Sequence, residues 1–246
     1  MTEYNKKYKL LVKYILENGI LQDCRNGSQL IIPFYNFYLD FSYKDNHILH
    51  LRKINYSQVY GEFKTLIDKN NKLQNINQFK DNKCYYWDKW AKNDGSINLD
   101  YYNMLHPQLE LIIDQIKRFP NSRRHIIELW NYKNVFNNEL NFPKHKERNL
   151  SLPCCWHNIT FSIINNKLFM SFTIRSNDIM IGNPADVYLA YLFHKYVAIA
   201  TGYKQAICNF NIRNAHIYKE HIDNAKILLT RTEKDIKNPL FFKLKE

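Results

Sequence analysis

Two runs of β-forming residues, 156–164 and 167–174, are separated only by Asn165-Asn166. Asparagine tolerates the left-handed backbone that a two-residue hairpin turn requires, so the pattern predicts two antiparallel strands. A long apolar stretch at 187–200, VYLAYLFHKYVAIA, follows and predicts a buried helix. Strands and helices are mixed along the chain without a regular βαβ alternation. The sequence therefore indicates a fold of the α+β class.

The other predicted elements agree with this class. Apolar residues at helical spacing predict helices, and runs of β-forming residues predict strands. The predicted helices are 5–17, 57–68, 107–118 with Pro107 in its first turn, and 219–229; the predicted strands lie within 29–52, at 124–130 and before His216. Polar stretches at 68–84 and 132–150 are expected to be loops. Because no linker or internal repeat interrupts the chain, we expect one domain over residues 1–246.

Composition excludes several classes of protein. Hydrophobic residues make up 45% of the 246, which is enough to bury a core and excludes global disorder. Mean hydropathy is −0.51, and no apolar run approaches the roughly 18–20 residues that span a bilayer. The 35 Lys and Arg against 23 Asp and Glu give a net charge of +12, which favours an anionic partner. Five cysteines without a signal peptide favour free thiols in the cytoplasm.

The segment Pro153-Cys154-Cys155-Trp156-His157 carries the most chemical information. A cysteine at the start of a strand can act as a nucleophile if nearby cations stabilise its thiolate. The alternative is that both thiols are simply buried in a core strand. A metal site is not expected, because the spacing differs from the Cys-x₂₋₄-Cys pattern of zinc sites.

Two basic segments could bind an anion. Arg175 and Ser176 follow a strand, where a guanidinium and a hydroxyl together suit a phosphate. Arg123 and Arg124 open the strand predicted at 124–130 and would point to its opposite faces, although a solvated basic turn is the simpler interpretation.

Several polar and aromatic residues have both a structural and a functional interpretation. Asp186 precedes the long apolar helix and could be its N-cap. His216 and Tyr218 share one face of a strand, which suits hydrogen bonding to a sugar hydroxyl. Glu62 lies within an apolar helix, either exposed or placed in a pocket for proton transfer. Trp87 could simply fill a core.

Taken in order, these motifs resemble those of the thymidylate synthase family. The order is a Glu within a helix, Trp-Asp-x-Trp-Ala at 87–91, Ser-Arg-Arg at 122–124, Trp-Asn at 130–131, Pro-Cys-Cys at 153–155, Arg-Ser-x-Asp at 175–178, Gly-x-Pro at 182–184 and His-x-Tyr at 216–218. The resemblance runs from about Asp23 to about Leu229. It implies a single α+β domain with a large mixed sheet flanked by helices, and a homodimer that packs sheet against sheet.

The resemblance also implies a reaction. Such enzymes transfer a one-carbon unit from 5,10-methylenetetrahydrofolate to C5 of a pyrimidine nucleotide. By motif match, Cys155 attacks C6 of the base, Glu62 handles protons through water, Trp87 and Tyr101 line the pocket beside C5, and Asp178 meets the pterin. The implied phosphate ligands are Arg175, Ser176 and Arg25, with Arg123 and Arg124 reaching across the dimer, and the implied sugar ligands are His216 and Tyr218. The match at Arg25 is offset by one residue. Four clustered arginines should favour the thiolate of Cys155.

Departures from the family pattern point to the substrate. Asp186 stands where thymidylate-forming members have an Asn that pairs with uracil, and a protonated carboxyl suits cytosine because it accepts from the C4 amino group and donates to N3. The same exchange is a feature of the family's cytidylate hydroxymethylases. Trp156 replaces the usual His, and Thr160 and Ile174 replace glutamines. The tail PLFFKLKE lacks the family's usual lid, which is expected to let water add in place of hydride.

We therefore expect a (deoxy)cytidylate 5-hydroxymethyltransferase that favours dCMP, with CMP possible. The alternative enzyme is a divergent thymidylate synthase that methylates dCMP or dUMP. A third hypothesis, an RNA-binding protein that uses the net charge of +12 and the 18 tyrosines, predicts loss of Cys155 or of the arginines, and all of them are present.

Overall fold

The computed structural model describes residues 1–24, 27–68, 75–88, 91, 94–96, 101–130, 155–237 and 240, with only the backbone at 101–103. The helices are α1 Glu3–Asn18, α2 Tyr56–Ile67, α3 Ile76–Asp81, α4 Tyr101–Arg118, α5 Asn183–Thr201 and α6 Ile222–Thr230. The strands are β1 Ile20–Cys24, β2 Gly27–Asp40, β3 Ile126–Glu128, β4 Trp156–Ile164, β5 Lys167–Ile174, β6 Asn177–Asp178 and β7 Lys204–Tyr218. Short 3₁₀ turns lie at Lys219–His221 and Glu233–Lys237.

The strands form one mixed sheet in the order β1-β2-β7-β5-β4-β3, and β6 adds to β7. Strands β5 and β6 run parallel to β7, and the other pairs are antiparallel. The β4–β5 hairpin is confirmed, because Asn165 and Asn166 form its turn with φ of 50° and 59°. This large mixed sheet flanked by helices confirms the predicted fold class.

Helices α1 and α5 cover the centre of the sheet, where β2, β7 and β5 lie side by side. Helix α1 buries Tyr4, Tyr8, Leu11 and Ile15 at intervals of three or four residues, so one face of the helix points inward. Helix α5 is anchored to the sheet by buried His194, whose Nε2 lies 2.8 Å from the carbonyl oxygen of Leu168. This packing holds the first turn of α5 beside the ends of β4, β5 and β6.

Several predicted boundaries were wrong. Helix α4 begins at 101, so Pro107 lies inside the helix; burial of Leu105 and Leu109 on its inner face, about 1.5–3 kcal/mol each, offsets the hydrogen bond that proline removes. Strand β2 ends at Asp40, and 41–52 forms turns instead of further strands. The strand predicted at 124–130 shortens to Ile126–Glu128.

The predicted loop at 68–84 contains helix α3, which begins at Ile76 after the N-cap Asn75. The predicted loop at 132–150 lies outside the described residues.

Candidate active site

The ends of the β4–β5 hairpin bring Cys155 and Arg175 together. Cys155 directly precedes β4, Arg175 directly follows β5, and the main-chain N–H of Arg175 donates to the carbonyl of Cys155 at 2.8 Å. The guanidinium carbon of Arg175 lies 5.5 Å from the ring centroid of Trp130, which fixes the cation over an aromatic face. The nucleophile predicted from sequence therefore lies beside one of the predicted phosphate ligands.

Two opposing effects act on the pKa of the Cys155 thiol. Arg175 lowers the pKa of the Cys155 thiol, as expected, but burial has the larger effect and the net pKa is raised. The carboxylate of Asp186 raises this pKa further. The expectation of a stabilised thiolate concerned four arginines and stays a prediction; in the single chain, Arg175 alone does not outweigh desolvation of the thiol.

Asp186 lies in the first turn of α5 but is not its N-cap, which is Gly182. Its carboxyl instead bridges two other elements. The indole N–H of Trp156 on β4 donates to Oδ1 at 2.9 Å, and the amide of Asn177 on β6 donates to Oδ2 at 2.5 Å. Both hydrogen bonds lower the pKa of Asp186, but burial raises it to about 6. The carboxyl therefore changes protonation state close to neutral pH.

Glu62 forms a second buried carboxyl in the same region. It is 8% exposed on α2, and Trp87 donates its indole N–H to Oε1 at 3.1 Å. Burial first, and then the nearby charge of Asp186, raises the pKa of Glu62 to about 8, while the Trp87 hydrogen bond lowers it. At neutral pH Glu62 therefore holds a proton, which it can give to a reacting group and then take back.

Gly61 explains how α2 brings Glu62 to Trp87. A Cβ built at Gly61 would lie 2.0 Å from the carbonyl oxygen of Asn82, so only glycine allows this close approach. Thr65 and Asn82 join the two segments by a hydrogen bond of 3.0 Å between Asn82 Nδ2 and Thr65 Oγ1. The segment that carries Trp87 is thus held directly against the helix that carries Glu62.

The predicted sugar and pterin ligands lie on neighbouring strands. Asp178 on β6 pairs with His216 on β7, and the N–H of Ile179 donates to the carbonyl of His216 at 2.9 Å. His216 makes an edge-to-face contact with Tyr218, with ring centroids 5.1 Å apart. Burial lowers the pKa of His216 to about 4, so its imidazole is neutral and suits hydrogen bonding to an uncharged hydroxyl.

Asp178 also organises the turn between β6 and α5. Its Oδ1 accepts the N–H groups of Met180 and Ile181 at 2.9 and 3.2 Å. Burial raises the pKa of Asp178 to about 7. Tyr8 donates its hydroxyl to the carbonyl of Ile179 at 2.7 Å, which ties this turn to α1.

The remaining predicted site residues are exposed, partly exposed or outside the described part of the chain. Arg123, in a bend, and Arg124 precede β3 and are exposed, so the prediction that they open a strand was wrong. Ser176 is partly exposed beside Arg175. Arg25 and the side chain of Tyr101 lie outside the described residues.

Sequence reasoning missed the residues that surround Asp186. Asn183 donates to Oδ1 of Asn177 at 2.7 Å, and Tyr4 donates its hydroxyl to Oδ1 of Asn183 at 3.0 Å. Two asparagines within seven residues of an apolar helix start were the only signal. In the part of the chain that the structure describes, no group of three His, Cys, Asp or Glu side chains could hold a metal, and no helix is long and apolar enough to cross a membrane.

Comparisons with known proteins agree with this arrangement. The family model for thymidylate synthase matches residues 6–244. The chain is 30% identical over 240 residues to the thymidylate synthase of Fusobacterium nucleatum, which covers 89% of this chain and 81% of that protein. It is 28% identical over 254 residues to the thymidylate synthase of Bacillus mojavensis and 26% identical to that of Bacillus phage phi3T, in each case covering 95% of this chain and 86% of the relative. Because the family model spans nearly the whole chain, the chain belongs to the thymidylate synthase family of transferases, which use 5,10-methylenetetrahydrofolate as the one-carbon donor to pyrimidine C5.

Proposed function

We propose that this member of the family is a (deoxy)cytidylate 5-hydroxymethyltransferase, with dCMP favoured over CMP. The observation that carries the proposal is the carboxyl of Asp186, which is held by Trp156 and Asn177 beside Cys155 and Glu62. A carboxyl at this position distinguishes the two pyrimidines that the family chemistry could use.

The choice of base follows from hydrogen-bonding capacity. Cytosine presents an amino donor at C4 and an acceptor at N3, whereas uracil presents an acceptor at C4 and a donor at N3. A protonated Asp186 accepts from the amino group and donates to N3, and its pKa of about 6 makes this proton available near neutral pH. The ionised carboxylate would repel the C4 oxygen of uracil. Asp186 therefore supports a cytidine nucleotide.

In the proposed reaction, Cys155 adds to C6 of cytosine and makes C5 nucleophilic. The folate donor supplies a carbon at the oxidation level of formaldehyde. C5 then loses its proton to water, and Glu62, protonated at neutral pH by its raised pKa of about 8, exchanges protons with the base through water. Water supplies the hydroxyl of the product, Cys155 leaves from C6, and tetrahydrofolate is released without oxidation. The hydroxymethyl outcome also rests on the Asp186 exchange that the chain shares with the family's cytidylate hydroxymethylases.

The nucleotide would be oriented by its phosphate and sugar. Arg175 and Ser176 would bind the phosphate at the end of β5, and neutral His216 with Tyr218 would bind the 3′-hydroxyl. We further propose a homodimer in which Arg123 and Arg124, exposed in each chain, reach the phosphate of the other subunit and Arg25 completes the site. Residues 1–246 would form one domain.

Two described residues fit a reduced folate. Among the described residues, both hydrogen bonds of the Asp178 side chain go to Oδ1, which leaves Oδ2 for the N–H groups of a pterin. Trp87 is partly exposed while its indole N–H is held by Glu62, so its ring face is fixed beside the reacting region. These two residues would hold the donor, and Trp87 with Tyr101 would line the pocket at C5.

The experiment is to incubate the protein with 5,10-methylenetetrahydrofolate and, separately, dCMP, CMP and dUMP, and to measure product masses. A cytidylate that gains one formaldehyde unit without formation of dihydrofolate supports the proposal. A methyl product with dihydrofolate favours the alternative, a dCMP or dUMP methyltransferase. Cys155→Ala should abolish turnover, while the matched control Cys24→Ala, at an exposed thiol on β1, should not. Full activity of Cys155→Ala would contradict the covalent mechanism.

A further inference from the structure

A continuous chain of hydrogen bonds, buried except at its last and partly buried link, ends at Asp186. It begins at the hydroxyl of Tyr4, passes through the amides of Asn183 and Asn177, and reaches Oδ2 of Asp186, with distances of 3.0, 2.7 and 2.5 Å. Trp156 donates to the other oxygen, Oδ1, at 2.9 Å. Tyr4, Asn183, Asn177 and Trp156 are all buried, at 0%, 0%, 2% and 4% exposure. Four elements, α1, β4, β6 and α5, therefore supply one polar network.

The indole of Trp156 fixes the direction of the hydrogen bond at one end of this chain. An indole N–H can only donate, so Oδ1 of Asp186 must accept from Trp156. Each amide accepts at its oxygen from the preceding group and donates through its nitrogen to the next. Every donor in the network thus points towards Asp186, and both carboxyl oxygens are occupied by N–H groups.

This arrangement accepts a carboxyl at position 186 and opposes an amide. An amide has only one acceptor oxygen, so its nitrogen would face either the indole N–H of Trp156 or the amide N–H of Asn177. Relief would require Asn177 and Asn183 to turn around together, which takes the acceptor away from the buried hydroxyl of Tyr4. Removing the indole donor would instead let an amide place its nitrogen on that side without reversing the chain.

We propose that Trp156 is a positioning residue that matches the site to a carboxyl at 186, and that Trp156 and Asp186 together determine the choice of cytosine over uracil. This inference rests on the proposed function, because it concerns how Asp186 reads the base. Trp156 itself is held in place by edge-to-face contacts with Phe172 and Phe193, at centroid distances of 5.0 and 5.8 Å. Its indole N–H is thereby presented to Asp186 with little freedom.

A double-mutant cycle tests the pairing. The variants are Trp156→Phe, Asp186→Asn and the double variant, and the measurement is the dissociation constant of dCMP and of dUMP by equilibrium dialysis. At about pH 5, where the carboxyl of Asp186 is protonated and loss of a hydrogen bond that lowers its pKa adds no further protonation, Trp156→Phe should weaken dCMP binding about fivefold, because the carboxyl loses the N–H that orients it. With Asn at 186, the same substitution should strengthen dUMP binding about tenfold, because the opposed N–H groups are removed.

This reversal of sign separates positioning from packing. The control Phe193→Leu loosens the packing around Trp156 but leaves its N–H in place, so it should change binding in the same direction in both backgrounds. If Trp156→Phe weakens binding equally in both backgrounds, as Phe193→Leu does, the pairing is refuted. If the wild-type protein binds dUMP more tightly than dCMP, both the proposed function and the pairing of Trp156 with Asp186 are refuted. If it prefers dCMP but Trp156→Phe shows no reversal of sign, only the pairing is refuted.

A second pair of variants keeps the inference testable if Trp156→Phe does not fold. Tyr4 and Tyr8 are both buried on α1 and each donates one hydrogen bond, but only Tyr4 belongs to the chain that reaches Asp186. Tyr4→Phe should lower the ratio of dCMP to dUMP affinity at least threefold, because Asn183 and Asn177 become free to reverse. Tyr8→Phe should leave that ratio unchanged. Equal ratios in the two variants would overturn the inference.

Discussion

Replacing Glu62 by glutamine should make the protein more stable at alkaline pH while removing a group that the reaction needs. Burial raises the pKa of Glu62 from 4.5 to about 8. Because the folded pKa lies above the unfolded one, the native state binds the extra proton, and stability is lost as pH rises from about 4.5 through about 8. Glutamine is neutral at every pH and keeps an oxygen for the indole N–H of Trp87.

The size of the effect follows from the two pKa values. Each pH unit between them corresponds to about 1.4 kcal/mol, so the ionised carboxylate costs the folded state at most about 5 kcal/mol above about pH 8. We expect Glu62→Gln to raise the free energy of unfolding by at least about 2 kcal/mol at about pH 8.5 and to change it little near pH 5. Urea denaturation of both proteins at the two pH values measures this difference.

A matched control is Glu17→Gln on α1, whose side chain is 59% exposed. This variant should show no comparable difference between the two pH values, since solvent screens an exposed carboxylate. The reasoning is refuted if Glu62→Gln destabilises the protein equally at both pH values, or if the gain at about pH 8.5 is absent. Turnover with dCMP should fall at least about a hundredfold in Glu62→Gln, as expected for loss of general acid–base catalysis.

Three further predictions follow from the same geometry. Affinity for dCMP should fall about tenfold per pH unit above about pH 6, because the carboxyl of Asp186, with a pKa of about 6, must regain its proton to pair with N3. Equilibrium dialysis from about pH 7 to about pH 9 measures this dependence. An affinity that does not change with pH would contradict the prediction. Gly61→Ala should lower both the melting temperature and kcat, because its Cβ would lie 2.0 Å from the carbonyl of Asn82; an unchanged kcat would show that this close approach does not position the catalytic carboxyl. Arg175→Ala should slow alkylation of Cys155 by iodoacetamide at about pH 8, because the loss of this cation raises the thiol pKa further. Peptide mass spectrometry measures the rate of labelling, and faster or equal labelling would argue against coupling between Arg175 and the thiol.

The parts of the fold that follow local rules could be predicted from the sequence. The Asn165-Asn166 turn needs a positive φ at both residues, and the local residue types alone indicate it. Helix α1 and strands β4 and β5 were also predicted closely, because each carries a strong apolar period over eight or more residues. The start of helix α4 was predicted at 107, whereas the helix begins at 101. The energetic penalty of Pro107 inside the helix is offset by burial of Leu105 and Leu109, which the local sequence pattern does not predict.

For the candidate site, the residue types could be identified from the sequence, but their electrostatics could not. The order of motifs along the chain was enough to single out Cys155, Arg175, Asp186 and Glu62, because each reactive group is a specific residue type at a specific place in the chain. Their electrostatics were not predictable, since desolvation depends on how many neighbours surround a group such as the Cys155 thiol after folding.

The sequence by itself determined which groups are present, and only the tertiary structure decided how they are held. Tyr4 and Asn183 are 179 residues apart, and Trp156 and Asp186 are 30 residues apart, yet they belong to one hydrogen-bond network. Such contacts join different elements, so no periodicity or spacing along the chain reveals them. The physical reason is that a buried polar group must find its partner wherever packing places one, and packing is a property of the whole fold.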